Sequence, residues 1–222
     1  MNPINSFQID LDICLNELDD LDRLLASKKE LSEKHDILPF IKCRPHLAAY
    51  IGSYSPSISR FDQSDIEYTL YGDFRADAIV GDATSKSFCM IEFEDARENS
   101  IFKKSARSTK EWGSRFEHGF SQIVDWLWKI DDMRNSAQGR AIFGSDEFQF
   151  MGILIIGRDC YLDPLDRARL KWRVGRVLVN SQTIVCLTFD QLARDLRDSL
   201  ELYRPKSQQV GGINSIPLRS TT

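Results

Sequence analysis

The stretch FCMIEFEDAR, residues 88–97, decides how the rest of the chain is read. Phe88, Cys89, Met90 and Ile91 make an apolar run of the kind that goes inside as a strand, and it ends in Glu92, Phe93, Glu94 and Asp95. Side chains alternate along a strand, so Glu92 and Glu94 point to the same face. A second strand candidate, FRADAIVG (74–81), comes before it, and GDATSK (81–86) between them has the composition of a hairpin turn. If the two segments pair, Asp77 shares a face with both glutamates. Three carboxylates on one face repel each other and need protons, basic partners or a cation. A hard divalent ion with oxygen ligands, Mg²⁺ or Mn²⁺, would satisfy them. The plainer reading is a solvated strand end, with Asp77 paired to Arg75 or another base.

Outward from this hairpin, IEYTLY (66–71) alternates Ile66, Tyr68 and Leu70 against Glu67, Thr69 and Tyr71, as a strand does. Residues 8–27 read as an amphipathic helix, with Leu11, Leu15, Leu18, Leu21 and Leu25 at spacings of three and four. A second helical stretch, 31–51, is broken by Pro39 and Pro45. Residues 114–133 form a helix with Phe116, Phe120, Ile123, Val124, Leu127 and Ile130 on its apolar face. Arg115, His118, Gln122, Trp126 and Lys129 fall on the other side. QFMGILIIG (149–157) reads as a strand buried on both faces, 164–173 as a helix with Pro164 near its start, TIVCLT (183–188) as a strand and 189–203 as a last helix. The order predicts an α/β fold with a single mixed β-sheet flanked by helices. Residues 1–30 read as an N-terminal helical extension, 31–203 as the domain, and the Pro-, Ser- and Gly-rich 204–222 as a flexible tail.

A chain of 222 residues can bury one sizeable core. No apolar run approaches the roughly 20 residues of a membrane helix, and no basic segment followed by an apolar one opens the chain as a secretory signal would. Five scattered cysteines without a CxxC pair read as reduced thiols of a cytoplasmic protein. The net charge of −4 argues against a nonspecific nucleic-acid coat, but charge is patterned locally. Residues 10–22 carry six acids and no base. Residues 103–115 carry Lys103, Lys104, Arg107, Lys110 and Arg115, and 167–176 carry Arg167, Arg169, Lys171, Arg173 and Arg176. Glycine-rich phosphate loops and a GxSxG elbow are absent, so no nucleotide cofactor is indicated. His35, His46 and His118 have no partner at metal-ligand spacing. The four tryptophans read as residues in or beside the core, one of them able to stack on a base.

The aspartate, the hairpin and the Glu-x-Glu at the end of an apolar strand resemble the signature of the PD-(D/E)xK nucleases. A wider pattern is more specific: EKHDILPFIKCRPHLAAYIG (33–52), GDFRADAIVGD (72–82), CMIEFEDA (89–96) and RFEHGFSQIVDWLWKID (115–131) resemble, in order and style, the nuclease domain of the Shedu antiphage-defence family. The resemblance covers about residues 30–200 and implies a restriction-endonuclease-like core over 31–203. It implies a Mg²⁺- or Mn²⁺-dependent DNA endonuclease, self-association, and DNA as partner. Asp77 and Glu92 match the metal ligands of that fold, Glu33 an acid near the metal, and Gln122 a glutamine near the scissile phosphate or the water. Glu94 stands where the fold usually has a lysine. It can serve as ligand or base but supplies no positive charge, which Lys103, Lys104 or a second metal would have to replace. Lys103, Lys104, Arg107, Lys110 and Arg115 would grip phosphates, as would the bases of 167–176. The alternatives are a catalytically impaired module of the same fold that binds DNA or a protein partner, and a purely structural subunit.

Overall fold

The computed structural model describes residues 3–72 and 74–203; the tail read at 204–222 lies outside them. Helix α1 (Leu11–Ser27) starts where Asp10 caps the N–H groups of Asp12 and Ile13, and it buries Cys14, Leu18, Leu21 and Leu25. Its acidic outer face is matched by bases from elsewhere in the chain: Asp20 pairs with Arg44, and Asp19 and Asp22 with Arg197. The next helical stretch is broken as the prolines require. A π-helical turn (Glu33–Ile37) runs into α2 (Leu38–Lys42), and α3 (Pro45–Tyr50) runs into a 3₁₀ turn (Ile51–Tyr54). Pro39 and Pro45 each sit in a first turn, where no backbone N–H is needed.

Strands β1 (Gln63–Tyr71), β2 (Phe74–Asp82) and β3 (Ser87–Phe93) form an antiparallel meander. A small hairpin, β4 (Phe102–Lys103) and β5 (Glu111–Trp112), leads into α4 (Ser114–Arg134) and α5 (Ala137–Phe143). Strand β6 (Gln149–Ile155) then lies parallel to β3. Helix α6 (Pro164–Arg176) and a second small hairpin, β7 (Leu178–Val179) and β8 (Gln182–Thr183), come before β9 (Val185–Leu187), which lies parallel to β6. Helix α7 (Phe189–Tyr203) closes the described chain. The sheet order β1-β2-β3-β6-β9 makes the predicted single mixed sheet.

Strand alternation splits the core into two layers. Cys89, Ile91 and Phe93 of β3, with Ile153 and Ile155 of β6, pack under Leu18, Leu21 and Leu25 of α1 and Leu192, Leu196 and Leu200 of α7. Phe88 and Met90, with Phe150 and Leu154, pack under Phe116, Phe120, Ile123 and Leu127 of α4. Residues 11–27 thus share the core of the rest. Arg158 reinforces that attachment: it binds both oxygens of Asp190 and donates to the carbonyls of Leu25 and Lys28.

Two glycines let α4 lie close to the sheet. A Cβ on Gly152 would sit 2.2 Å from Ile123 Cγ2, and one on Gly119 would sit 2.7 Å from Leu154 Cδ1 and 3.0 Å from Glu94 Cγ.

Three expectations are corrected, and one helix is added. Ile66 does not share a side with Tyr68 and Leu70: it packs with the α1–α7 layer and they pack with the α4 layer. Glu67, between them, has a left-handed backbone at φ +56°. The strand read at 183–188 is divided, because left-handed Asn180 and Ser181 close the tight β7–β8 hairpin and only Val185–Leu187 joins the sheet. Trp126, placed with the polar side of α4, is buried at 2% exposure, its indole closing a cleft beside Phe74. Helix α5 was not anticipated; Ser136 caps it and Gly144, at φ +71°, ends it.

Candidate functional site

Strand pairing brings the acids together. The β2–β3 register sets Ala78 opposite Ile91, so the next residues, Asp77 and Glu92, face each other across the two strands. Asp77 Oδ2 accepts the Phe93 N–H at 2.8 Å. Glu94 continues the face of Glu92 just past the strand, where its N–H donates to the Ile155 carbonyl at 2.9 Å. Leu31 and Ala96 exchange backbone hydrogen bonds of 3.2 and 2.9 Å, which draws the first turn of the broken helix to the end of β3. There the Glu33 N–H donates to Asp95 Oδ1 at 2.8 Å. Helix α4 supplies the opposite wall with Arg115, His118 and Gln122, spaced three and four apart on one helical face. Glu33, Asp77, Glu92, Glu94 and Gln122 all line one cleft of ≈ 480 Å³, together with Arg115, His118, Asp125, Phe74 and Trp126.

The cleft crowds negative charge out of water. Burial pushes the Glu92 carboxyl far above the usual carboxylate range; Asp77, Glu94 and Glu33 add repulsion, and Arg115 opposes it. Burial raises Asp77 as well, against the Phe93 N–H that favours its ionised form. Glu94, 1% exposed, is pushed up to about 8, chiefly by burial and against the pull of Arg115. Two guanidiniums line the cleft, Arg75 beside Asp77 and Arg115 among the other acids: Arg115 Nη2 lies 2.7 Å from Glu33 Oε2, and Nε lies 3.2 Å from Glu94 Oε2 and 3.3 Å from Asp95 Oδ2. His118 Nδ1 lies 3.5 Å from Glu94 Oε1. Two buried acceptors have no hydrogen-bond donor among the described residues, Glu94 Oε2 and Gln122 Oε1. The Arg115 Nε near Glu94 Oε2 therefore contributes charge proximity without an aligned hydrogen bond. Buried polar atoms left this way cost free energy until a water, ion or ligand reaches them.

The sequence placed Arg115 and His118 on the Gln122 side of this helix, and the structure sets both against the carboxylates. Their contacts with Glu33 and Glu94 were not anticipated. Lys103 and Lys104, considered as sources of the missing positive charge, lie outside the cleft and pair with Glu111 at 4.0 Å and Glu98 at 3.3 Å. Lys110 is engaged with Asp163 and Asp166, the capping box of α6. Arg107 is exposed and has no ion-pair partner among the described residues. On α6, Arg167 pairs with Asp159. Arg169 donates to the Lys110 carbonyl, and Arg173 pairs with Glu117.

A mixed sheet between two helical layers, with a carboxylate-lined cleft where β2, β3 and α4 meet, defines an α/β protein with a buried acidic centre. Residues 30–193 match the family model described as Shedu protein SduA, C-terminal, and the chain belongs to that family. The family is associated with a nuclease-like antiphage defence function. Comparison with curated proteins returned no match. Among the described residues, no helix is long and apolar enough to cross a membrane.

Proposed function

We propose that this chain is a divalent-metal-dependent DNA endonuclease of antiphage defence, built on a restriction-endonuclease-like core. The observation that carries the reading is the facing pair Asp77 and Glu92, held in one cleft with two unsatisfied acceptors, Glu94 Oε2 and Gln122 Oε1. The donor set fits Mg²⁺ or Mn²⁺: hard oxygens throughout, with no thiol lining the cleft. Among the described residues no three Asp, Glu, His or Cys side chains converge tightly enough to cage an ion. Mg²⁺ asks for only one or two carboxylates, with water and phosphate oxygens completing the shell. Asp77 and Glu92 would hold the ion. When bound, it supplies Lewis acidity at the phosphate and a water of lowered pKa.

The chain's own groups have separate tasks. Gln122 Oε1 accepts from a water in the cleft and orients it. Glu94 takes the proton of the attacking water, its raised affinity for protons matching the task. Arg115 meets the phosphate and replaces the positive charge that a lysine at position 94 would bring. Glu33 holds the Arg115 guanidinium in place at 2.7 Å.

One observation favours the impaired-module alternative: Arg115 is already enclosed by Glu33, Glu94 and Asp95. Calorimetric titration with Mn²⁺ separates the readings. We expect one ion to bind wild type and raise its melting temperature, and Glu92→Gln to lose both effects. Equal behaviour of the two proteins contradicts a metal site at Glu92.

A further inference from the structure

Helix α6 carries a second cleft that the carboxylate chemistry does not use. It has a volume of ≈ 550 Å³ and is lined by Trp112, Ala168, Arg169, Trp172, Arg173 and Val177. Trp172 stands 65% exposed at its edge, an unusual position for an indole on a protein surface. The floor is aromatic and braced by cations: the Arg169 guanidinium lies 4.7 Å from the Phe102 ring centroid, and that of Arg173 lies 4.6 Å from the Trp112 centroid.

Exposed cations flank this cleft, while Arg173 in its wall is paired with Glu117. The only acid on α6 is Asp166, which is buried and held by Lys110. Lys171 and Arg176 are exposed and have no ion-pair partner among the described residues. An exposed indole, an apolar slot and flanking cations suit a ligand with a flat π-face and a phosphate on either side.

We infer that this cleft takes an unpaired nucleobase of a single strand, stacked on Trp172, while Lys171 and Arg176 contact the adjoining phosphates. The inference rests on the DNA reading above and adds a subsite for unpaired bases on α6. Stacking on an aromatic side chain is tolerant of sequence and accounts for much of single-strand affinity where it occurs.

The test is fluorescence anisotropy in EDTA, where cleavage does not intervene, with a labelled 12-nucleotide oligo(dT) and an abasic strand of the same length. We expect Trp172→Ala to weaken oligo(dT) binding about tenfold, the scale of one lost base stack, and Trp172→Phe to restore most of it. The abasic strand should bind wild type and Trp172→Ala alike. Lys171→Gln combined with Arg176→Gln should weaken both strands. Because Trp172 is exposed, its replacement leaves the fold in place, and a melting curve checks this. Unchanged oligo(dT) affinity in Trp172→Ala overturns the inference, and if that variant also changes oligomeric mass the slot is a protein contact instead. Failure of wild type to bind oligo(dT) overturns it too. Base-dependent binding without plasmid cleavage would leave this subsite standing and count against the nuclease reading alone.

Discussion

Arg115 reaches from the first turn of α4 to Glu94, with Nε 3.2 Å from Oε2, so a cation comes to the place where the chain itself put an acid. That pairing sets the expectation for exchanging the charges. Glu94→Lys places two cations against each other and removes the proton acceptor, so plasmid nicking should fall at least tenfold. Arg115→Gln should lower nicking to a similar degree and cost about 1–2 kcal/mol in urea unfolding, less than a fully buried pair because the guanidinium is partly exposed. Faster nicking in Glu94→Lys would contradict the assignment of both residues.

Stability should depend on pH in a direction set by the raised acids. Glu94 titrates at about 8 in the fold against an ordinary 4.5. Between those values the folded form keeps a proton that the unfolded chain has lost, so the metal-free protein should lose stability as pH rises from about 4.5 to 8. Glu94→Gln should flatten that slope, and Mn²⁺ should oppose it in wild type. At the acid end Asp82 acts the opposite way. Burial pushes it up, but the N–H groups of Ser85, Ser59 and Thr84 and the Ser59 hydroxyl bring it down to about 2 from 3.8. Its contribution is complete above 3.8 and disappears as pH falls through 2. Thermal melts across pH 2 to 9 check both limbs; rising stability between 4.5 and 8 in metal-free wild type would contradict the first.

Gly119 and Gly152 should respond differently to alanine. Both Cβ atoms would crowd their neighbours and cost about 1–3 kcal/mol. Only Gly119→Ala presses on Glu94, so it should also lower nicking measured well below its melting temperature, whereas Gly152→Ala should nick at the wild-type rate there.

Arg158 joins α1 to α7 from the interior. Arg158→Ala leaves Asp190 with only the Asp159 N–H as donor, takes the guanidinium from the carbonyls of Leu25 and Lys28, and should cost about 3–5 kcal/mol. Chemical unfolding measures it, and a loss below about 1 kcal/mol would mean that Arg158 does not hold α1 in place.

The meeting of Asp77, Glu92 and Glu94 in one cleft was legible because it follows from local rules: strand alternation and a turn between two apolar runs. For Arg115 only the helical side shared with Gln122 was legible; its pairing with Glu33 and Glu94 was not, since a base in a charged run looks the same whether it faces solvent or carboxylates. The approach of Glu33 depends on the Leu31–Ala96 backbone pair, a contact across 65 positions that no periodicity announces. The division of β1 between the two layers runs against its alternating pattern, and Glu67 in its middle takes a left-handed backbone that its residue type rarely adopts. Helix α5 escaped notice because AQGRAIF has too few turns to show a period, and its hold comes from the Ser136 cap and from Phe143 packed against Phe88, Phe148 and Phe150.

The central claim is that the cleft between β2, β3 and α4 cleaves DNA with a divalent ion held by Asp77 and Glu92. Conversion of supercoiled plasmid to nicked or linear form, followed with Mg²⁺, with Mn²⁺ and with EDTA for wild type, Asp77→Asn and Glu92→Gln, tests it most directly. The account predicts cleavage by wild type with either metal, none in EDTA, and a loss of at least a hundredfold in each variant while the variants stay folded. Intact plasmid with wild type in both metals, or cleavage that survives Glu92→Gln, would contradict it.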